Sequence, residues 1–245
     1  MHGGMIDYWH AHRWLFKTGR WTWMAWPFLC SLCVLPVYAW AVWRSSDAMT
    51  HTLLDLWGMA SGLYWLLWPI MLLISLLFGY MLLKNILMLL CLPLNMKLAD
   101  AVIAEHDAQL PVPHNTHWRG ALGRSLRVAL LSILLSLLGT VLLLLLGLIP
   151  LVGPVITLTL GIMLQSFLAA WGCFDPVYER VNVGPWASFK HSLRHAPVLI
   201  SSGLPSVLLF QIPIIGWTLA PSYGTVAGAM TALRFYTHPA VTQTP

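Results

Sequence analysis

Three acidic side chains stand beside long apolar stretches and are the first candidates for chemistry: Asp100, Asp175 and Glu179. A carboxylate at the end of a membrane helix can relay a proton or hold a cation. Asp175-Pro176 followed by Glu179-Arg180 reads as a helix start with a local ion pair. Metal chemistry has less to work with. His10 and His12 are two residues apart and point to different helix faces, and His114 and His117 lie in the loop-like stretch PVPHNTHW. Cys30-x-x-Cys33 has no second pair to complete a zinc cage. The histidines read as interfacial or solvated and the cysteines as small hydrophobes, so no metal and no cofactor is expected. Nucleophile elbow, phosphate loop, zinc-protease helix and dinucleotide fingerprint are all missing from the sequence, and the expectation is a protein that is not an enzyme.

The elements that must position these groups follow from composition. Of 245 residues, 58% are hydrophobic and 9% charged, with a mean hydropathy of +0.75, whereas soluble domains carry about a quarter charged residues. A soluble globular fold is excluded, and the lipid bilayer becomes the first partner. Fourteen tryptophans predict aromatic belts at both membrane–water interfaces. The net charge of +5 is spread too thinly to form the basic stripe that nucleic acid requires. The opening MHGGMIDYWHAHRW lacks the apolar core of a cleavable leader, so none is expected.

Charge-free runs locate the spans, because a charge at the bilayer centre costs about 2.5–3.5 kcal/mol even on the gentlest scale. The runs are Trp21 to Trp43, Leu56 to Leu83, Val128 to Phe174 and residues 195–233. Each of the first two crosses once. The second keeps its apolar character to Leu94, with Lys84 expected to snorkel, and kinks are expected at Pro27, Pro36 and Pro69. As one helix the third run would reach about 70 Å, so it must fold back. The break is legible at Ile149-Pro150-Leu151-Val152-Gly153, and a near copy, Ile212-Pro213-Ile214-Ile215-Gly216, breaks the fourth run. Pro150, Gly153, Pro213 and Gly216 therefore mark two hairpin tips. Each hairpin either spans or enters the membrane partway. If each returns to its starting side, twelve of the thirteen basic residues share one face and only Arg44 lies on the other, which puts both termini in the cytoplasm. Residues 6–18 mix aromatic and basic side chains in the manner of an interfacial amphipathic helix.

The order of motifs resembles a known family. Phe78-Gly79-Tyr80, Leu92-Pro93-Leu94-Asn95 with Lys97-Leu98-Ala99-Asp100, Phe174-Asp175-Pro176, Ser188-Phe189 with Leu193-Arg194, and Ala220-Pro221 with Gly228-Ala229-Met230-Thr231 resemble the CysZ-type sulfate permeases and the wider etoposide-induced-protein membrane family. The resemblance implies two long spanning helices, two partially penetrating hairpins, a homo-oligomer, and sulfate uptake across the bacterial inner membrane for cysteine biosynthesis. It also points to an anion site at the start of the first long helix. There Gly19 matches, but Arg20 takes an apolar position while Trp21 and Thr22 stand where that family has two arginines. The implied anion-binding set is Gly19, Arg20 and Thr22 with Lys17, and its cargo is sulfate or a related oxyanion. The alternative is a non-transporting scaffold or regulator of the wider family. The expected architecture is one all-α integral membrane domain, 1–245: interfacial helix 6–18, long helices 21–43 and 56–94, a cytoplasmic polar region 97–127, and Pro/Gly-tipped hairpins 128–174 and 195–233.

Overall fold

The computed structural model describes residues 3–58, 61–106, 118–147, 149 and 152–236. Within them the chain is helical: α1 (Gly3–Lys17), a 3₁₀ turn (Arg20–Met24), α2 (Ala25–Trp57), a second short turn (Ser61–Leu63), α3 (Tyr64–Leu90), α4 (Leu92–His106), α5 (Trp118–Gly147), α6 (Gly153–Arg180), α7 (Pro185–Arg194), α8 (Ala196–Phe210) and α9 (Ile215–Tyr236). Four helical segments, Arg20–Trp57, Tyr64–Leu90, Gly123–Gly147 and Val155–Arg180, are long and apolar enough to cross a membrane. Proline punctuates the starts: α6, α7 and α8 each carry one in the first turn, where its missing N–H costs nothing. Pro36 and Pro69 lie inside α2 and α3, which run on through them.

Helices α2 and α3 form an antiparallel pair with most of its side-chain surface turned outward, as Trp40, Trp57 and Trp65 illustrate. At 33 residues, α2 is about 50 Å long, more than the roughly 30 Å hydrocarbon core, so it tilts or projects. The other helices build the main core around Trp171, Phe174, Val177, Leu199 and Val226. Their contacts run through small residues: a Cβ on Gly203 of α8 would lie 1.8 Å from the Ser166 carbonyl oxygen of α6, and one on Gly228 of α9 would lie 2.7 Å from Cys173 Cβ. Such close approach is how helices gain packing energy where lipid removes the hydrophobic drive.

Three boundaries differ from expectation. The first long helix runs past residue 43 to Trp57, so the apolar stretch 56–94 opens on the end of α2 and the short turn Ser61–Leu63, and its remainder divides at Cys91 between α3 and α4. Asp175 and Pro176 do not start a helix: both lie near the C-terminal end of α6. The N-terminal helix does not lie free on the interface. Asp7, Ala11, Trp14 and Leu15 are buried on one stripe, and α1 packs on α8 and α9, leaving Trp9 and Phe16 exposed on its other side. His114 and His117 lie outside the described residues.

The repeated motif has a repeated geometry. In each copy the glycine N–H donates to the carbonyl of the motif's isoleucine, Gly153 to Ile149 and Gly216 to Ile212, both at 2.9 Å. Each glycine also sits against the preceding helix end. A Cβ on Gly153 would lie 2.6 Å from the Leu146 oxygen, and one on Gly216 would lie 1.6 Å from the Leu209 oxygen. Both glycines are therefore sterically required by the turn. Pro150 lies outside the described residues; Pro213 accepts from the Ile215 N–H at 2.7 Å, and Ile214 between them has φ 64°. Helices α7 and α8 meet at a 100° bend, and α8, with 15 residues, is about 22 Å long.

Candidate functional site

The residues implied by family resemblance meet at the corner between α1 and α2. Gly19 ends α1 in the left-handed conformation, φ 69°, which a side chain rarely adopts. Its N–H is committed to the Phe16 carbonyl (3.2 Å), so it closes the helix and does not offer itself to an anion. Thr22 folds its hydroxyl back onto the Gly19 carbonyl (3.3 Å). Arg20 reaches the face of Trp14, 4.6 Å from guanidinium to ring centroid, with Trp23 at 6.0 Å. Trp14 is fixed in turn by donating its indole N–H to Glu105 of α4 at 2.6 Å. The guanidinium is thus held by aromatic faces, and its Nη1 is buried without a hydrogen-bond partner. Lys17, in the last turn of α1, is exposed. Of the four implied residues, Arg20 presents the uncommitted donor.

Two of the three candidate carboxylates, Asp175 and Asp100, are occupied. Asp175 takes three hydrogen bonds from Arg124 of α5, Nη2 at 2.8 Å and Nε at 3.1 and 3.3 Å, while the other end of that guanidinium donates to the Val183 carbonyl. Arg180 pairs with Asp100 of α4, 80 residues away, and not with its neighbour Glu179. These bonds join α4, α5 and α6 at one end of the bundle.

Sequence reasoning missed a cavity beside them, largely apolar but with several polar side chains in its lining. It occupies about 80 Å³ between α3, α4, α5, α6 and α9, room for several waters by the usual measure. Lys84 reaches into it. This side chain does not snorkel: it is 7% exposed and donates to Gln165 Oε1 of α6, whose amide donates onward to Ser136 Oγ at 2.7 Å. Ser125, Ser132 and Ser136 line the α5 wall, Thr225 the α9 wall and Asn95 the start of α4. The available signal was the serine spacing of seven and four within a leucine-rich run, which returns to one helical stripe.

Comparison with known proteins fits this arrangement into a family. No curated protein and no solved structure matches the chain. A family model described as sulfate transporter CysZ/etoposide-induced protein 2.4 matches residues 7–221, from the buried Asp7 of α1 to Pro221 inside α9, and so takes in the corner, the Arg124–Asp175 and Arg180–Asp100 pairs and all of the cavity lining but Thr225. With that span the chain belongs to the sulfate transporter CysZ/etoposide-induced protein 2.4 family of membrane proteins.

Proposed function

We propose that this chain takes up sulfate or a related oxyanion across the bacterial inner membrane, supplying reduced-sulfur synthesis of the kind that makes cysteine. The observation that carries the reading is Arg20 Nη1, a buried and unpartnered cationic donor at the entry to the first long helix, in a chain whose family is described by sulfate transport. Both termini face the cytoplasm, where the basic residues collect. Helices α2 and α3 span, and the family resemblance makes α5–α6 and α8–α9 hairpins that enter partway; the 22 Å reach of α8 supports this for the second, whereas both arms of the first are long enough to cross. The outward apolar faces of α2 and α3 serve lipid and further copies of the chain in a homo-oligomer.

Uptake of radiolabelled sulfate by proteoliposomes tests the reading. Saturable flux above empty vesicles is expected, and its absence overturns uptake in favour of a non-transporting scaffold or regulator. Replacing Arg20 by alanine removes charge-assisted hydrogen bonds worth about 1.5–3 kcal/mol, so the KM for sulfate rises by roughly 10- to 150-fold. An unchanged KM removes Arg20 from the anion path and leaves it a packing partner of Trp14.

A further inference from the structure

The cavity around Lys84 sets an electrostatic problem that the protein's own side chains do not solve. A lysine ammonium within a membrane helix is costly unless something of opposite charge meets it. Lys84 is 7% exposed, yet its hydrogen-bond partner is the neutral carbonyl oxygen of Gln165. The carboxylate on the same wall, Asp175, is held by Arg124. Asp100, Asp175 and Glu179 lie against Arg124 and Arg180 at this end of the bundle, so among the described residues Lys84 has no carboxylate as a hydrogen-bond or ion-pair partner of its own.

Much of the remaining lining is apolar, Met88, Val128, Leu168 and Phe210 included, and the polar part of it supplies hydrogen-bond donors. Ser132 and Ser136 on α5 and Thr225 on α9 present hydroxyls to the cavity. Asn95, 7% exposed, has a side-chain oxygen that is buried without a partner. Rotating that amide by half a turn exchanges oxygen for NH₂, so the orphaned acceptor becomes a donor with no movement of the backbone. A cation would be repelled by Lys84, and an apolar ligand would strand the hydroxyls. A small anion with several acceptor oxygens satisfies both the charge and the donors.

We propose that this cavity is a binding chamber for one tetrahedral oxyanion of the sulfate class, with Lys84 supplying the charge and Ser132, Ser136, Thr225 and the Asn95 amide supplying donors. On binding, the ammonium leaves Gln165 for the anion, and Gln165 keeps its bond to Ser136. The stripe from Ser125 to Ser136 is about 16 Å long, so the chamber extends from the Asp175–Arg124 pair toward the middle of α5. The choice of sulfate as cargo rests on the uptake reading above; the presence of an anion in the chamber does not.

The test uses the full chain in phosphatidylcholine nanodiscs, which contain no anionic headgroup. It measures binding of radiolabelled sulfate and the sulfate-induced rise in melting temperature, with sodium chloride of equal ionic strength as reference. Lys84→Met replaces a buried charge by an apolar side chain of similar length and leaves the ligand-free melting temperature unchanged or higher, while sulfate binding falls more than tenfold. The pair Ser132→Ala/Ser136→Ala weakens binding about tenfold, and Lys84→Arg retains part of it. If Lys84→Met instead lowers the ligand-free melting temperature and keeps the sulfate response, the lysine is a structural peg and the chamber is refuted. An equal response to chloride overturns the tetrahedral assignment. Proteoliposome flux separates the two readings: Lys84-dependent binding without flux upholds the chamber and removes uptake, and flux indifferent to Lys84→Met upholds uptake and removes the chamber.

Discussion

Asp7 has no exposed surface, although it stands in a segment whose aromatic and basic side chains read as an interfacial amphipathic helix. Thr231 donates to it at 2.6 Å and Arg234 pairs with it. Burial pushes the Asp7 carboxyl above its ordinary range, against the pull of the Thr231 hydroxyl and the Arg234 guanidinium. The folded chain therefore holds this proton more tightly than the unfolded chain, and stability falls as pH climbs from the ordinary carboxylate range through the raised value. Asp7→Asn abolishes that slope. Thermal melts of the two proteins should diverge with rising pH from about 4, and parallel curves would contradict the assignment. Arg124→Ala strands a buried Asp175 and costs about 3–5 kcal/mol; adding Asp175→Asn recovers much of the loss, and chemical denaturation of the single and double variants checks it. Asp100, Asp175 and Arg180 were legible as residues of consequence but their partners were not. Local spacing suggested Glu179–Arg180, whereas the bonds formed reach across 51 and 80 residues, a separation that no short-range pattern encodes. Lys84 misled for a related reason: a lysine that snorkels and one that points into a cavity have the same sequence and differ only in which helix face the neighbours cover.

Charge-free runs located the helices well because desolvating a charge is costly enough to leave a mark on every span. They could not mark where the helices end, since α2, α5 and α6 extend past the last charge at one end or both. Nor could they mark the break at Cys91, whose signal is Pro93 in the first turn of the helix that follows. The tips were readable because the IP-x-x-G pattern serves one steric purpose twice. Ile214 holds a left-handed conformation that costs a β-branched residue about 1–2 kcal/mol, and its side chain is 40% exposed. Ile214→Gly should therefore raise the melting temperature modestly, and a fall of several degrees would show that the strain is not stored there. Gly203→Ala does the opposite, because the new methyl would meet the Ser166 backbone. We expect a loss of about 2–3 kcal/mol in unfolding titrations, without loss of the α2–α3 pair. Cysteines at positions 212 and 214, probed with a thiol reagent from either side of the membrane, measure how deep the second tip sits. Labelling of both from the far side only is the signature of full spanning and would replace the partial hairpin.

The whole molecule divides into a core built from α1 and α4–α9 and a long α2–α3 pair that exposes most of its apolar surface. Its proposed sidedness rests on residue types and the position of Arg44 alone. A reporter fused to either end should be active only in the cytoplasm, and periplasmic activity at one end would overturn the orientation. What could not be read was that the two ends of the chain close on each other, for nothing in residues 6–18 names its partner. That closure constrains biogenesis. The groups that hold Asp7 lie 224 and 227 residues downstream, so α1 is made well before the helix that seats it. Throughout translation a carboxylate destined for burial waits beside the membrane, and the bundle locks only when α9 has left the ribosome. A chain that stops short of α9 lacks both Thr231 and Arg234, and so leaves Asp7 without the groups that hold it and α1 without half of its seat.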